Sequence, residues 1–232
     1  MCSSEHKEQA THRNRRIKGV TKTEDPTSQS KAELERPSQI PGLTYHLINF
    51  NGKAYSNTLV AKLSWPSYLK LAALMAIGRR TEAISIVGSQ VMAPRGLTGL
   101  GIDVVDACTA EVRAVFEILA KAESYPILVH CTQGKDRTGM IILYILLLLS
   151  VPLPAIKEDY LKSEPELEPE RAERLKEILA IGLTEEFVTC PTDFVETISR
   201  KIEKDYGGIE SYLEHCGVGK DMQRKVIEIL KA

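Results

Sequence analysis

No cysteine pair stands at metal-ligand spacing, no apolar run is long enough to span a bilayer, and neither sign of charge is in excess in this chain of 232 residues. Each absence closes a class of function. The five cysteines, Cys2, Cys108, Cys131, Cys190 and Cys216, are odd in number and irregularly spaced, which argues against structural zinc and against a disulfide framework. No signal peptide opens the sequence, so reduced thiols and a cytoplasmic location are expected. The most apolar stretch, Met140 to Val151, is about a dozen residues where a spanning helix needs roughly 20. A buried core helix is expected there, and no integral membrane segment. Lys and Arg number 30 against 31 Asp and Glu, a net charge of -1. With no global basic field, nucleic acid is not an expected partner, and an anionic membrane would have to meet a local patch.

What is present begins with a change of composition near residue 40. Residues 1–40 are polar, mix both signs of charge and have almost no large apolar side chains, so a disordered tail is expected. Its basic cluster from His12 to Lys18 reads as a solvated charge run. Residues 41–232 are expected to form one domain. "PGLTYHLINFNG" is β-rich and closes on the turn signal Asn51-Gly52, which predicts a strand over Tyr45 to Phe50. "LVAKLSWPSYLKLAALMAIG" and "TEAISIVGSQVM" carry helical periodicity, whereas "MAPRGLTGLG" reads as a glycine-punctuated loop. In "TAEVRAVFEILAKA", Val112, Val115, Phe116 and Leu119 fall at i, i+3, i+4 and i+7, behind Thr109 as a cap. "YPILVH" reads as a short strand buried in a parallel sheet. Beyond residue 150 the segments are amphipathic and helical. The order predicts an α/β domain, a sheet flanked by helices with a helical C-terminal part.

Between the predicted strand and the apolar helix stands "HCTQGKDRTG", residues 130–139. In an open α/β sheet, the loop between a strand's carboxyl end and a helix is a ligand site. Gly134 and Gly139 permit backbone conformations that turn successive N–H groups toward one centre, and the helix start adds its dipole. Such a nest suits a phosphate, and the same field favours a thiolate on Cys131. Arg137 supplies a planar fork that can bridge two phosphate oxygens. The spacing therefore reads as a nucleophile and a clamp on opposite sides of a bound phosphate.

These residues resemble the His-Cys-X5-Arg-Ser/Thr-Gly signature of the protein tyrosine phosphatase superfamily. The Lys135-Asp136 pair is similar to its bacterial and fungal branch, some of whose members also accept phosphoinositides. "EDYLKSEPEL" and "IEKDYGGIESYLEHCGV" resemble that branch's C-terminal helices, so the resemblance runs from about Leu43 to the end. It implies a phosphatase-like sheet flanked by helices and an activity that needs no metal or other cofactor. Cys131 would attack phosphorus and form a cysteinyl-phosphate, Arg137 would bind the phosphoryl group, and Thr138 would hydrogen-bond the thiolate. His130 would orient the cysteine, with Thr132, Gln133, Gly134, Lys135 and Gly139 completing the substrate-binding loop. The general acid is expected to be Asp136, in preference to Asp103 or Asp106, which read as helix-start caps. The branch's "NFRD" and "DLR" segments are missing, so the N-terminal part of the fold is expected to be absent or rewritten.

The leading expectation is a phosphatase acting on protein phosphotyrosine. Alternatives are a phosphoinositide phosphatase, an inactive phosphate-binding pseudophosphatase, and a sulfur transferase or arsenate reductase, which share a similar loop. Lys135 either attracts a second phosphate or supports the loop's field. Arg79, Arg80 and Arg95 read as surface arginines, and Cys108, Cys190 and Cys216 as structural thiols, Cys108 also as a resolving thiol.

Overall fold

Met140, Ile141, Leu143, Tyr144, Ile145 and Leu148 are all buried, over more than half the circumference of one helix, while Ile142, Leu146 and Leu149 on the remaining side are half-buried. The segment is apolar all round, and its buried arc is the centre on which other helices pack. The structure is a computed structural model that describes residues 40–232. Residues 47–232 form one unit, and residues 40–46 belong to another. The expected tail, with its basic cluster, lies outside the described residues.

In chain order the helices are α1 (Lys53–Val60), α2 (Trp65–Ala76), α3 (Arg80–Val87), α4 (Ala93–Ala107), α5 (Thr109–Leu119) and α6 (Arg137–Leu148). They continue with α7 (Leu153–Leu161), α8 (Ser163–Leu167), α9 (Arg171–Ala180), α10 (Phe194–Tyr206), α11 (Ile209–His215) and α12 (Lys220–Lys231). A π-helical segment, Gly88–Met92, joins α3 to α4. The core helix α6 meets α7 and α11, while α10 packs on α4 and α7, and α12 on α5. At the centre the Tyr144 and Tyr212 rings lie 5.2 Å apart, and Tyr212 donates its hydroxyl to the Val105 carbonyl at 3.1 Å.

The expected sheet is not there: among the described residues no strand forms, and the α/β assignment is corrected to a helical fold. Neither predicted strand is paired among the described residues. A ladder needs a partner for each backbone N–H and C=O, and between Pro126 and Gln133 no backbone N–H reaches a backbone acceptor among the described residues. Burial follows the same correction. Ile127 and Val129 are half-buried while Leu128 between them is 85% exposed, so the segment has one face in the core and not two. In the other stretch Leu47 is 84% exposed.

A second correction concerns "MAPRGLTGLG", which is helical. Helix α4 runs through it with one break at Gly96 (φ 61°, ψ 175°). Gly101 lets the helix approach α10 closely, since a β-carbon there would stand 2.9 Å from the Phe194 ring and 3.0 Å from Ile198 Cδ1. Packing outweighs the glycines' weak helix propensity. Thr109 opens α5 as expected, but without a side-chain cap.

Candidate active site

Helix α6 starts at Arg137 because Asp136 still holds a pre-helical position, and the N–H groups of Gly139 and Met140 already bond back to the Lys135 and Asp136 carbonyls. The N–H groups at the helix start are left to face the preceding loop. In that loop Gly134 has φ 76°, with open space where a side chain would go. The positive φ is what calls for glycine. Its N–H donates to the Cys131 sulfur at 3.2 Å.

Burial opposes ionisation of the Cys131 thiol. The Thr138 hydroxyl and the backbone N–H groups of Thr138, Gly134 and Gln133 outweigh it, so the thiol is held below its ordinary value. Thr138 Oγ1 is buried and has no well-aligned partner of its own, which leaves its proton to the field of the sulfur. The other thiols move the opposite way. Burial pushes Cys108 up to about 12 and Cys216 up to about 11, and also raises Cys190. Cys108 is fully enclosed and gives its proton to the Phe50 carbonyl at 3.4 Å, a structural thiol.

Arg137 projects its guanidinium back across the loop, where Nη2 donates to Thr132 Oγ1 at 3.1 Å. The structure thus brings Cys131, Thr132, Gly134, Arg137 and Thr138 together. His130 does not join them: it is exposed, and its Nδ1 lies 3.2 Å from the Cys131 carbonyl. Lys135 departs most from a substrate-facing place. It is fully buried, and its ammonium donates to Asp136 Oδ1 at 2.8 Å and to the Thr189 carbonyl at 3.0 Å. Asp136 Oδ2 makes no hydrogen bond among the described residues.

Asp103 and Asp106 are not helix-start caps; both lie in the last turns of α4. Arg95 Nη2 donates to Asp103 Oδ1 at 2.8 Å, and Arg95 Nε is 2.6 Å from Oδ2 without hydrogen-bond alignment. Lys62 adds a contact at 3.4 Å. Asp106 accepts from the Tyr206 hydroxyl at 2.9 Å and Lys201 at 2.8 Å. Both carboxylates are thereby committed to holding helices. Arg95 is likewise an internal partner and not a surface arginine.

A cavity of about 400 Å³ opens beside the loop, lined by Gln133, Gly134, Thr138 and Gly139 and by Asp159 and Lys162 of the α7 end. Tyr160 supports Gly139 from below, its ring stacked on Phe194 at 4.9 Å and 3.2 Å from where a Gly139 β-carbon would stand. One participant had no local signature in the sequence: Thr189 supplies its carbonyl to Lys135 from a distant turn. Among the described residues no group of three His, Cys, Asp or Glu side chains is placed to hold a metal ion.

A thiol with a depressed pKa, approached by the N–H groups of Gln133, Gly134 and Thr138 in a loop that also carries Arg137, is the equipment of a thiolate nucleophile with an oxyanion site. The chain belongs to the tyrosine phosphatase family, whose family model matches residues 7–232. The match reaches further upstream than the resemblance seen from Leu43 onward. Among curated proteins the chain is 26% identical over 114 residues to a triple specificity protein phosphatase, PtpB, from Mycobacterium tuberculosis, covering 43% of this chain and 41% of that one. It is 30% identical over 129 residues to a tyrosine-protein phosphatase from Nostoc commune, covering 47% of this chain and 40% of that one. The chain thus aligns with about two-fifths of the length of these relatives.

Proposed function

We propose that this chain is a cysteine-dependent phosphatase that hydrolyses phosphate monoesters, with protein phosphotyrosine as substrate. The observation that carries the reading is the Cys131 thiol, held below its ordinary pKa by the N–H of Gly134 at 3.2 Å and by Thr138. A phosphoryl group seated in the loop would place its oxygens against the backbone N–H groups and the Arg137 fork. The Cys131 thiolate attacks phosphorus, the bond from phosphorus to the ester oxygen breaks, and that oxygen leaves with a proton. Asp136 Oδ2 is the nearest uncommitted carboxylate oxygen in the loop to supply it. Water then attacks the cysteinyl-phosphate, releasing inorganic phosphate and the thiolate. Thr138 stabilises the sulfur as it leaves.

Lys135 favours a phosphoprotein over a phosphoinositide as substrate. A headgroup with neighbouring phosphates needs a second cation at the loop, and this one is buried on Asp136 and Thr189. A nucleophilic thiol also works best in a reducing compartment, which fits a cytoplasmic location.

The test is a metal-free assay on an aryl phosphate, phosphopeptides and phosphoinositides, beside the Cys131→Ser protein. Turnover on aryl phosphate and phosphotyrosine that falls to background in Cys131→Ser supports the reading; turnover that survives the substitution rejects it. One observation favours a second reading, a phosphate-binding chain with little turnover: the stretch leading to Cys131 has no backbone ladder among the described residues. Oxyanion binding without hydrolysis would distinguish it.

A further inference from the structure

The Arg137 guanidinium has one fixed point. Nη2 donates to Thr132 Oγ1 at 3.1 Å, and among the described residues the side chain makes no other hydrogen bond and no ion pair. Its position explains why it reaches that way. Arg137 is the first residue of α6, and side chains on a helix lean toward its N-terminus. A long side chain there extends over the preceding loop, and without a partner it would sample many rotamers. Each of those has to be given up when a ligand is gripped.

Thr132 follows Cys131 directly, so the bond ties the fork to the neighbour of the nucleophile across five positions of chain. Branching at Cβ restricts the threonine in χ1 and so keeps its hydroxyl in place. The bond takes one of the guanidinium's five N–H groups, and those that remain suffice for a bidentate grip on phosphate oxygens. The thiol is governed separately: the groups that hold Cys131 below its ordinary pKa are Thr138, Gly134 and Gln133. The Thr132 hydroxyl is therefore placed to act on the clamp and not on the sulfur.

We propose that Thr132 is a positioning residue, whose hydroxyl holds the Arg137 guanidinium over the loop before phosphate arrives, so that the clamp closes without first having to be ordered. This deepens the phosphatase reading and rests on it only in that phosphate enters the loop; turnover is not required.

Inorganic phosphate seated in the loop shields Cys131 from iodoacetamide, and the concentration giving half protection measures its binding whether or not the chain turns over. Thr132→Val keeps the branch and removes the hydroxyl. Half protection is expected at about five- to tenfold higher phosphate, with the pH midpoint of Cys131 alkylation in the absence of phosphate unmoved. Thr132→Ser restores the hydroxyl and should recover most of the loss. The guanidinium carries a signature of its own: with its rotation hindered by the bond, the two Arg137 Nη groups should give separate nitrogen NMR signals in the phosphate-free protein. Those signals should be missing from Arg137→Lys, which assigns them, and merged in Thr132→Val.

Half protection at the wild-type concentration in Thr132→Val overturns the proposal, and so does tighter binding, which would make the bond a latch that phosphate has to break. A loss that Thr132→Ser does not recover assigns the effect to packing, and a shifted Cys131 midpoint assigns it to the thiol; either one overturns it. Phosphate that never protects the wild-type protein overturns it as well. Protection without hydrolysis of an aryl phosphate would reject the phosphatase reading and leave the role of Thr132 standing.

Discussion

Lys135, with no exposed surface, donates to Asp136 Oδ1 at 2.8 Å from the next position in the chain. The pair turns the lysine of the loop away from any ligand and fixes which carboxylate oxygen of Asp136 is free. The same ammonium holds the Thr189 carbonyl, so the segment before α10 and the loop before α6 are tied through one buried cation. Removing it leaves two acceptors without a donor. Lys135→Met is expected to destabilise the chain by about 2–4 kcal/mol, toward the lower figure because the Asp136 side chain is 32% exposed and can take up water. Urea denaturation of the two proteins measures the difference. A change below about 0.5 kcal/mol would show that the lysine is not held as described.

Gly134 permits a test of backbone conformation without a clash, since nothing lies within 4 Å of where its β-carbon would stand. The cost of Gly134→Ala comes from φ 76° alone and is expected to be about 1 kcal/mol of stability. Activity should fall further than stability, because relaxation of the backbone moves the N–H that donates to Cys131. Comparing kcat/KM with the denaturation midpoint separates the two effects.

Gly88→Ala should behave differently. Its β-carbon would fall 1.9 Å from the Ile181 carbonyl oxygen, a backbone atom, so the π-helical segment and the turn after α9 cannot both keep their places. A loss of about 3 kcal/mol or more is expected, measured by thermal unfolding. A midpoint unchanged from the wild type would contradict this packing.

On the proposed mechanism, the acid limb of the pH-rate profile is expected to belong to Cys131. Its folded pKa is depressed, so the thiolate is present above that value and is lost as pH falls through it. By the same linkage, its contribution to stability is complete above the unfolded thiol's value of about 8.5 and declines below it until the folded pKa is passed. Thr138→Ala removes the hydroxyl that lowers the pKa and should move the acid limb of kcat/KM to higher pH. An unmoved limb would assign it to another group.

Much of the helical part could be read along the chain because its causes are local. Val112, Phe116 and Leu119 recur on one face and are buried, and the stretch from Met140 to Leu148 is apolar all round and buried over most of its residues. The loop residues could be read for the same reason, since Cys131 to Thr138 meet within one turn of chain. What failed to show was set by distant partners. Ile127, Leu128 and Val129 have strand-forming side chains, but a strand also needs a neighbour, and none lies beside them among the described residues. Lys135 read equally as a ligand for a second phosphate and as a support of the loop, and its place was decided by Thr189, 54 residues later. Asp103 and Asp106 stood where caps are common, yet Arg95 and Lys201 claimed them.

Alkylation of Cys131 by iodoacetamide, followed peptide by peptide as pH is raised, measures the ionisation on which the proposed chemistry depends. The geometry predicts a midpoint below the roughly 8.5 of a free thiol, rising when Thr138 is replaced by alanine, with Cys108, Cys190 and Cys216 unreactive across the range. A midpoint at or above that of a free thiol, unchanged by Thr138→Ala, would contradict it.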